Sequence, residues 1–160
     1  MDGIALRGYR ADDWQAMYAL DVACFEPPFR FSRHAMRGFA EADGAIPVLA
    51  EAAGELAGFC IVQMEERTGY VVTLDVAGAW RRHGLARRLM EESETKVRAA
   101  GGTVMALHVF PGNMGAVRFY EAIGYERLGT VEGFYGPGLD ALAYGKWLEA
   151  HPGNQAQARG

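Results

Sequence analysis

The stretch from Tyr70 to Val109 restricts the folds open to this chain more than any other. Tyr70–Val76 is a β-branched, apolar run of strand length. Leu85, Leu89, Met90 and Val97 then recur at helical spacing in a segment from about Gly84 to Ala100, and Gly101-Gly102 supplies a stop. Thr103–Val109 is a second apolar run. Two buried strands joined by a helix of this length run parallel, with a right-handed crossover. The chain is therefore α/β in class.

The flanks fill in around that unit. Ile4–Tyr9 reads as a first strand. Asp12 is the expected cap of a helix, with Gln15 as its capping-box partner. Trp14, Met17, Tyr18, Leu20 and Cys24 supply that helix's apolar stripe, and Pro27-Pro28 ends it. Ser32 caps a second short helix carrying Ala35, Met36 and Phe39. Ile46–Glu51 and Leu56–Met64 flank a turn at Gly54-Glu55 and predict a hairpin. Asn113 caps a helix whose inner face holds Ala116, Tyr120 and Ile123, and Gly124 ends it. Tyr125–Val131 and Leu139–Lys146 predict a closing hairpin.

A length of 160 residues suits one domain, expected over residues 1–150, and residues 151–160 lack large apolar side chains and are expected to form a flexible tail. Half the residues are hydrophobic and 22% are charged, which excludes a disordered chain or a rod. No apolar run approaches the ~18 residues of a membrane helix. Met1–Arg10 does not read as a signal peptide. The net charge of −4 argues against a nucleic-acid partner. Cys24 and Cys60 are far apart with no basic residue flanking either, so both are expected to be inert. His34, His83 and His151 lack ligand spacing, and no metal is expected. The default setting is reducing and cytoplasmic.

Between the strand and the long helix lies a basic turn. Arg81, Arg82, His83, Arg87 and Arg88 fall within eight residues of an acidic chain. A helix start offers orphan N–H groups and the positive end of a dipole. Gly84 lets an anion approach the backbone, and Ala86 keeps the next turn narrow. Arginine forks add phosphate donors. The arrangement suits a pyrophosphate, or else a solvated basic face. It is neither a Walker loop nor a Rossmann turn.

Arg81-x-x-Gly84-x-Ala86 resembles the R/Q-x-x-G-x-G/A cofactor motif of the GNAT superfamily of acyl-CoA-dependent N-acyltransferases. Asn113-x-x-Ala116-x-x-Phe119-Tyr120-x-x-x-Gly124-Tyr125 resembles the same superfamily's second segment, one strand further on. Tyr70-Val-Val-Thr73-Leu74, Leu107-His108-Val109 and the Phe134-Tyr135 to Asp140-Ala141-Leu142 region are similar to N-terminal protein acetyltransferases of the RimI and NatE kinds. RimI-type enzymes usually carry glutamate at the place of His108, so the likeness leans toward NatE.

The resemblance implies a mixed, mostly antiparallel twisted sheet of about seven strands. Its parallel central pair would be splayed to hold CoA, with helices on both faces. It implies acetyl transfer from acetyl-CoA to an amine in a ternary complex, with CoA as product. Backbone at Leu74, Asp75 and Val76 would hold the pantetheine arm. Arg81, Arg82, His83, Gly84, Leu85, Ala86 and Arg87 would hold the pyrophosphate. Asn113, with Ala116 and Phe119 on its helix, would serve the cofactor arm, and Tyr120 would lie near the sulfur. The expected partner is a protein or peptide N-terminus, with a small amine as alternative and a non-catalytic acyl-CoA-binding regulatory module as a third reading, and the protein a monomer or homodimer.

His108 is near the C-terminal end of its strand, where open α/β sheets place ligands, and alternation puts Val104, Ala106 and His108 on one face. It is a base for an α-ammonium, or a strand-end histidine. Tyr70 positions a water or relays a proton, or is a buried β-former. Tyr120 is a general acid for the leaving thiolate, or a helix core residue. Phe25, Pro27, Pro28 and Phe29 line an apolar pocket for a first side chain, or staple two helices, and Phe134-Tyr135 would cover the peptide.

Overall fold

The computed structural model describes residues 3–149. The tail expected at 151–160 lies outside the described residues. The elements are β1 (Ile4–Arg7), α1 (Asp13–Cys24), α2 (Arg33–Glu41), β2 (Ala45–Ala52), β3 (Glu55–Glu65), β4 (Thr68–Val76), α3 (Leu85–Ala99), β5 (Val104–Val109), α4 (Met114–Ala122), β6 (Glu126–Gly136) and β7 (Leu139–Trp147). The hydrogen-bonded strand order is β1-β2-β3-β4-β5-β7-β6. β4 and β5 run parallel, while β1·β2, β2·β3, β5·β7 and β6·β7 are antiparallel. This is the α/β, seven-stranded mixed sheet that the resemblance implied.

The described residues form two compact units, one with residues 3–63 and Val71–Ser93, the other with Met64–Tyr70 and residues 94–149. In the first, Met17, Met36, Leu49, Phe59 and Ile61 are fully buried against one another. Each such side chain contributes about 1.5–3 kcal/mol of burial. Ala53 and Gly54, both left-handed, make the β2–β3 turn, as a two-residue hairpin of primed type requires. In the second, Val97 lies so close to Gly69 that a Cβ there would sit 2.7 Å from its methyl group. Gly102 N–H closes the end of α3 on Val97 O at 2.8 Å. Among the described residues no helix is long and apolar enough to cross a membrane.

Ser32 and Asn113 cap their helices as expected, accepting from Ala35 N–H and Ala116 N–H, both at 3.1 Å. Asp12 does not. It is left-handed (φ 69°) and makes no side-chain cap bond. The neighbouring Asp13 is engaged before the helix instead: its carboxylate accepts Arg10 N–H at 2.6 Å and a fork from Arg7 at 2.8 and 2.9 Å. Of the apolar residues on α2, Met36 and Ala40 are buried while Phe39 is exposed, its ring meeting Phe31 at 5.2 Å. β1 stops at Arg7, and β6 runs on through Gly136, past the predicted Val131.

Candidate active site

In the second unit, β5 alternates between buried Met105, Leu107 and Val109 and half-exposed Val104, Ala106 and His108. Its neighbours across β7 are Gly145 opposite Ala106 and Ala143 opposite His108. Small residues thus surround the imidazole. Parallel pairing of Tyr70 with Ala106 sets the Tyr70 ring beside it. Tyr70 Oη and His108 Nδ1 are 2.8 Å apart. Phe134, from β6, stacks on a face of the imidazole at 4.2 Å and 20° between planes. Tyr135 meets Phe134 edge-on at 4.9 Å, and Phe110 meets Tyr135 at 6.1 Å.

Burial disfavours charge on every titratable member of this cluster. It lowers the His108 pKa below the usual 6.5 and raises that of the Tyr70 phenol above its usual 10. Tyr135 is pushed up to about 12 by burial, with Tyr70 adding to it. At neutral pH the site therefore presents a neutral imidazole whose orientation is held by two contacts. Such a ring can accept a proton.

On α4, the Asn113 oxygen is used by the cap, which leaves its amide NH2 to serve a ligand. Tyr120 is buried one helix face on, edge-to-face with Phe119 at 5.3 Å and Tyr125 at 5.8 Å. The end of α4 is tied to β7 twice. Tyr144 O–H donates to Glu121 at 2.6 Å, and Lys146 Nζ donates to Ile123 O at 3.0 Å. Lys146 also pairs with buried Glu94 at 3.1 Å, which accepts the Tyr125 hydroxyl at 2.8 Å. This network was not legible in the sequence, where Glu94 read as one more acidic residue of a helix.

In the first unit, residues 81–84 form a turn with Arg82 (φ 65°) and Gly84 (φ 77°) left-handed. The helical bond from Arg88 N–H to Gly84 O, at 3.2 Å, places the N–H groups of Leu85, Ala86 and Arg87 ahead of the ladder. Buried Leu85 and Leu89 anchor that end. Arg82, His83 and Arg87 are exposed around it. The left-handed Arg82 and Gly84 thus lead directly into these orphan N–H groups.

One expected contact looks different in the structure. The Arg81 guanidinium turns back, with Nε donating to Val76 O at 3.2 Å and Nη2 lying 3.6 Å from Cys24 Sγ. A basic group thus reaches Cys24 after all, from 57 residues away, yet burial and Asp75 still push the thiol up. Asp75 points its buried side chain at Asp21, so only its backbone remains for a cofactor arm. Asp21 escaped the sequence reading. The available signal was its position four residues after Met17, on the inward face of α1. Its carboxylate accepts Phe31 N–H at 2.8 Å, and Arg30 Nε donates to Phe25 O at 2.9 Å, so the Phe25–Phe31 loop is held at both ends.

The Acetyltransferase (GNAT) family matches residues 14–125 of this chain. The chain is 31% identical, over 101 residues (58% of this chain), to the N-terminal acetyltransferase A complex catalytic subunit ard1 of Schizosaccharomyces pombe. It is 34% identical, over 137 residues (80% of this chain), to the mycothiol acetyltransferase of Kineococcus radiotolerans. It spans 57% and 44% of those two relatives. Among solved structures, the ribosomal-protein-S18-alanine N-acetyltransferase from Escherichia coli superposes with a TM-score of 0.83 at 19% identity, covering 94% of this chain and 97% of that one.

Proposed function

Since this chain belongs to the GNAT family of acetyltransferases, we propose that it moves an acetyl group from acetyl-CoA to the α-amine of a protein or peptide N-terminus, releasing CoA. The observation that carries the proposal is the 2.8 Å contact between Tyr70 Oη and His108 Nδ1 on an imidazole stacked against Phe134.

The residues present fit the cofactor. A diphosphate needs converging N–H donors and positive charge, and the turn at Arg82–Gly84 with the first turn of α3 offers both. Arg82 and Arg87 would add side-chain charge and His83 a ring contact, while Arg81, held on Val76 O, would act through its backbone. Leu74 and Val76 would meet the pantetheine arm, and Asn113 NH2 its amides. Acetyl-CoA, when bound, supplies a thioester-activated acetyl carbonyl.

The chain's own residues would manage the protons. With Nδ1–H donating to Tyr70 Oη, His108 Nε2 is left to take a proton from the ammonium, directly or through water. The Tyr70 hydroxyl is then left to position that water. An α-amine, with a pKa near ~7.7–8.0, is roughly one-third neutral at pH 7.5, against about one in a thousand lysines. A weak base of this kind therefore suits an α-amine. Tyr120 would protonate the departing sulfur. Phe25, Pro27, Pro28 and Phe29 would take the first side chain, with Phe134 and Tyr135 over the peptide.

A small amine is the second reading, favoured by the 34% identity to a mycothiol acetyltransferase. A thiol-release assay with acetyl-CoA separates the two. Peptides varied at their first two residues are expected to turn over, and free lysine and polyamines are not. Turnover confined to small amines would overturn the proposal.

A further inference from the structure

We propose that Asp21 and Asp75 share one proton, and that the resulting acid–carboxylate bond positions the Phe25–Phe31 loop on β4. The role of the bond in catalysis rests on the proposed use of that loop for the substrate's first side chain.

Both side chains are buried, at 0% and 1% exposure. Each spends one oxygen on an ordinary donor. Asp21 Oδ2 accepts Phe31 N–H, and Asp75 Oδ1 accepts the Thr73 hydroxyl. The remaining oxygens, Asp21 Oδ1 and Asp75 Oδ2, meet no N–H or O–H donor, and the two carboxyl groups lie within hydrogen-bond reach of each other. Two ionised carboxylates in this position would repel in a poorly screened interior, and two orphan oxygens would each carry a desolvation cost. A single proton removes both problems, because it turns one of the orphans into a donor for the other.

Among the described residues, Cys24 on α1 lies near Asp75, and Arg81, after β4, lies beside Cys24; neither does that work. The guanidinium is turned onto Val76 O and Cys24 Sγ, and the thiol is held protonated and bonded to Val76 O. Among the described residues no group of three or more His, Cys, Asp or Glu could hold a metal ion there. Burial, with Asp21 adding to it, holds the Asp75 carboxyl well above the usual range, and in the proposed pair Asp75 carries the proton. Its O–H donates to Asp21 Oδ1, and Asp21 Oδ2 in turn holds Phe31 N–H. The chain from Asp75 to the loop is thus two hydrogen bonds long.

The folded state holds a proton that the unfolded chain releases above about pH 4, so this bond stabilises most at low pH and weakens as pH rises toward the folded pKa. The test is Asp75→Asn in the full chain, whose amide N–H replaces the shared proton at every pH. Urea unfolding is followed between about pH 5 and about pH 9, where one linked proton changes the folding constant up to about tenfold per pH unit. The wild type is expected to lose stability relative to Asp75→Asn as pH rises. Its infrared spectrum at neutral pH should carry a protonated-carboxyl band that the variant lacks. Asp75→Ala, which leaves Asp21 unpaired, should lose the exchange protection of the Phe31 amide, and Asp75→Asn should restore it. Parallel stability profiles with no such band would overturn the shared proton. These readouts need no substrate. The peptide KM of the wild type should rise at high pH while that of Asp75→Asn stays level. A KM that moves equally in both, with the band present, would overturn the positioning role and the loop's assignment to substrate, but leave the acetyltransferase reading intact.

Discussion

Tyr70 Oη lies 2.8 Å from His108 Nδ1, although the two residues are 38 positions apart. Parallel pairing of β4 with β5 makes the contact, and with Nδ1–H donating to Tyr70 it would leave Nε2 to accept a proton. Removing the base should cost the factor typical of general-base catalysis, about 10²–10⁴ in kcat. His108→Ala is expected to show that loss in a thiol-release assay, and Tyr70→Phe a smaller one. Full turnover in the double variant would mean that neither side chain has its proposed role, or that turnover does not depend on this site.

The pH dependence of kcat/KM should carry the mark of burial. Because His108 is lowered below 6.5, the neutral base persists to lower pH than a solvated histidine would allow. The acidic limb assigned to the enzyme is expected below about 6.5, apart from the substrate amine's own limb near ~7.7–8.0. Phe134→Ala uncovers one face of the imidazole and should move the enzyme limb up toward 6.5. A limb that stays in place in this variant would argue against His108 as its source.

Gly84 has a φ of 77° at the start of α3. A side chain there strains the backbone by roughly 1–2 kcal/mol. Gly84→Val should raise the KM for acetyl-CoA about tenfold or more, with the peptide KM little changed, as initial rates at varied concentrations of each would show.

Lys146 fastens Glu94 and Ile123 O in the second unit. Breaking a buried pair from one side costs about 3–5 kcal/mol, and the part-exposed lysine brings the expected loss in Lys146→Ala nearer to about 2–3 kcal/mol. Urea unfolding measures it. Lys146→Met, which keeps the stem but not the charge, should recover little, since Glu94 stays unpaired.

Much of this protein was readable along the chain. The α3 stripe, the stops at Gly101 and Gly124, and the caps at Ser32 and Asn113 depend on neighbours within a few residues, and they fell where expected. The basic turn before Leu85 and the second motif from Asn113 were legible for the same reason, and they carried the family. The failures came where a distant residue competed for a local one. Asp12 makes no cap bond, and Arg7 holds Asp13. Arg81 found Cys24, and Asp75 found Asp21. The stack of Phe134 on His108 depends on β6 running past the end predicted for it. Periodicity reports which face of an element turns inward. Only the fold decides which polar groups meet there, since their partners come from other strands and helices and the cost of burying them alone selects the pairs.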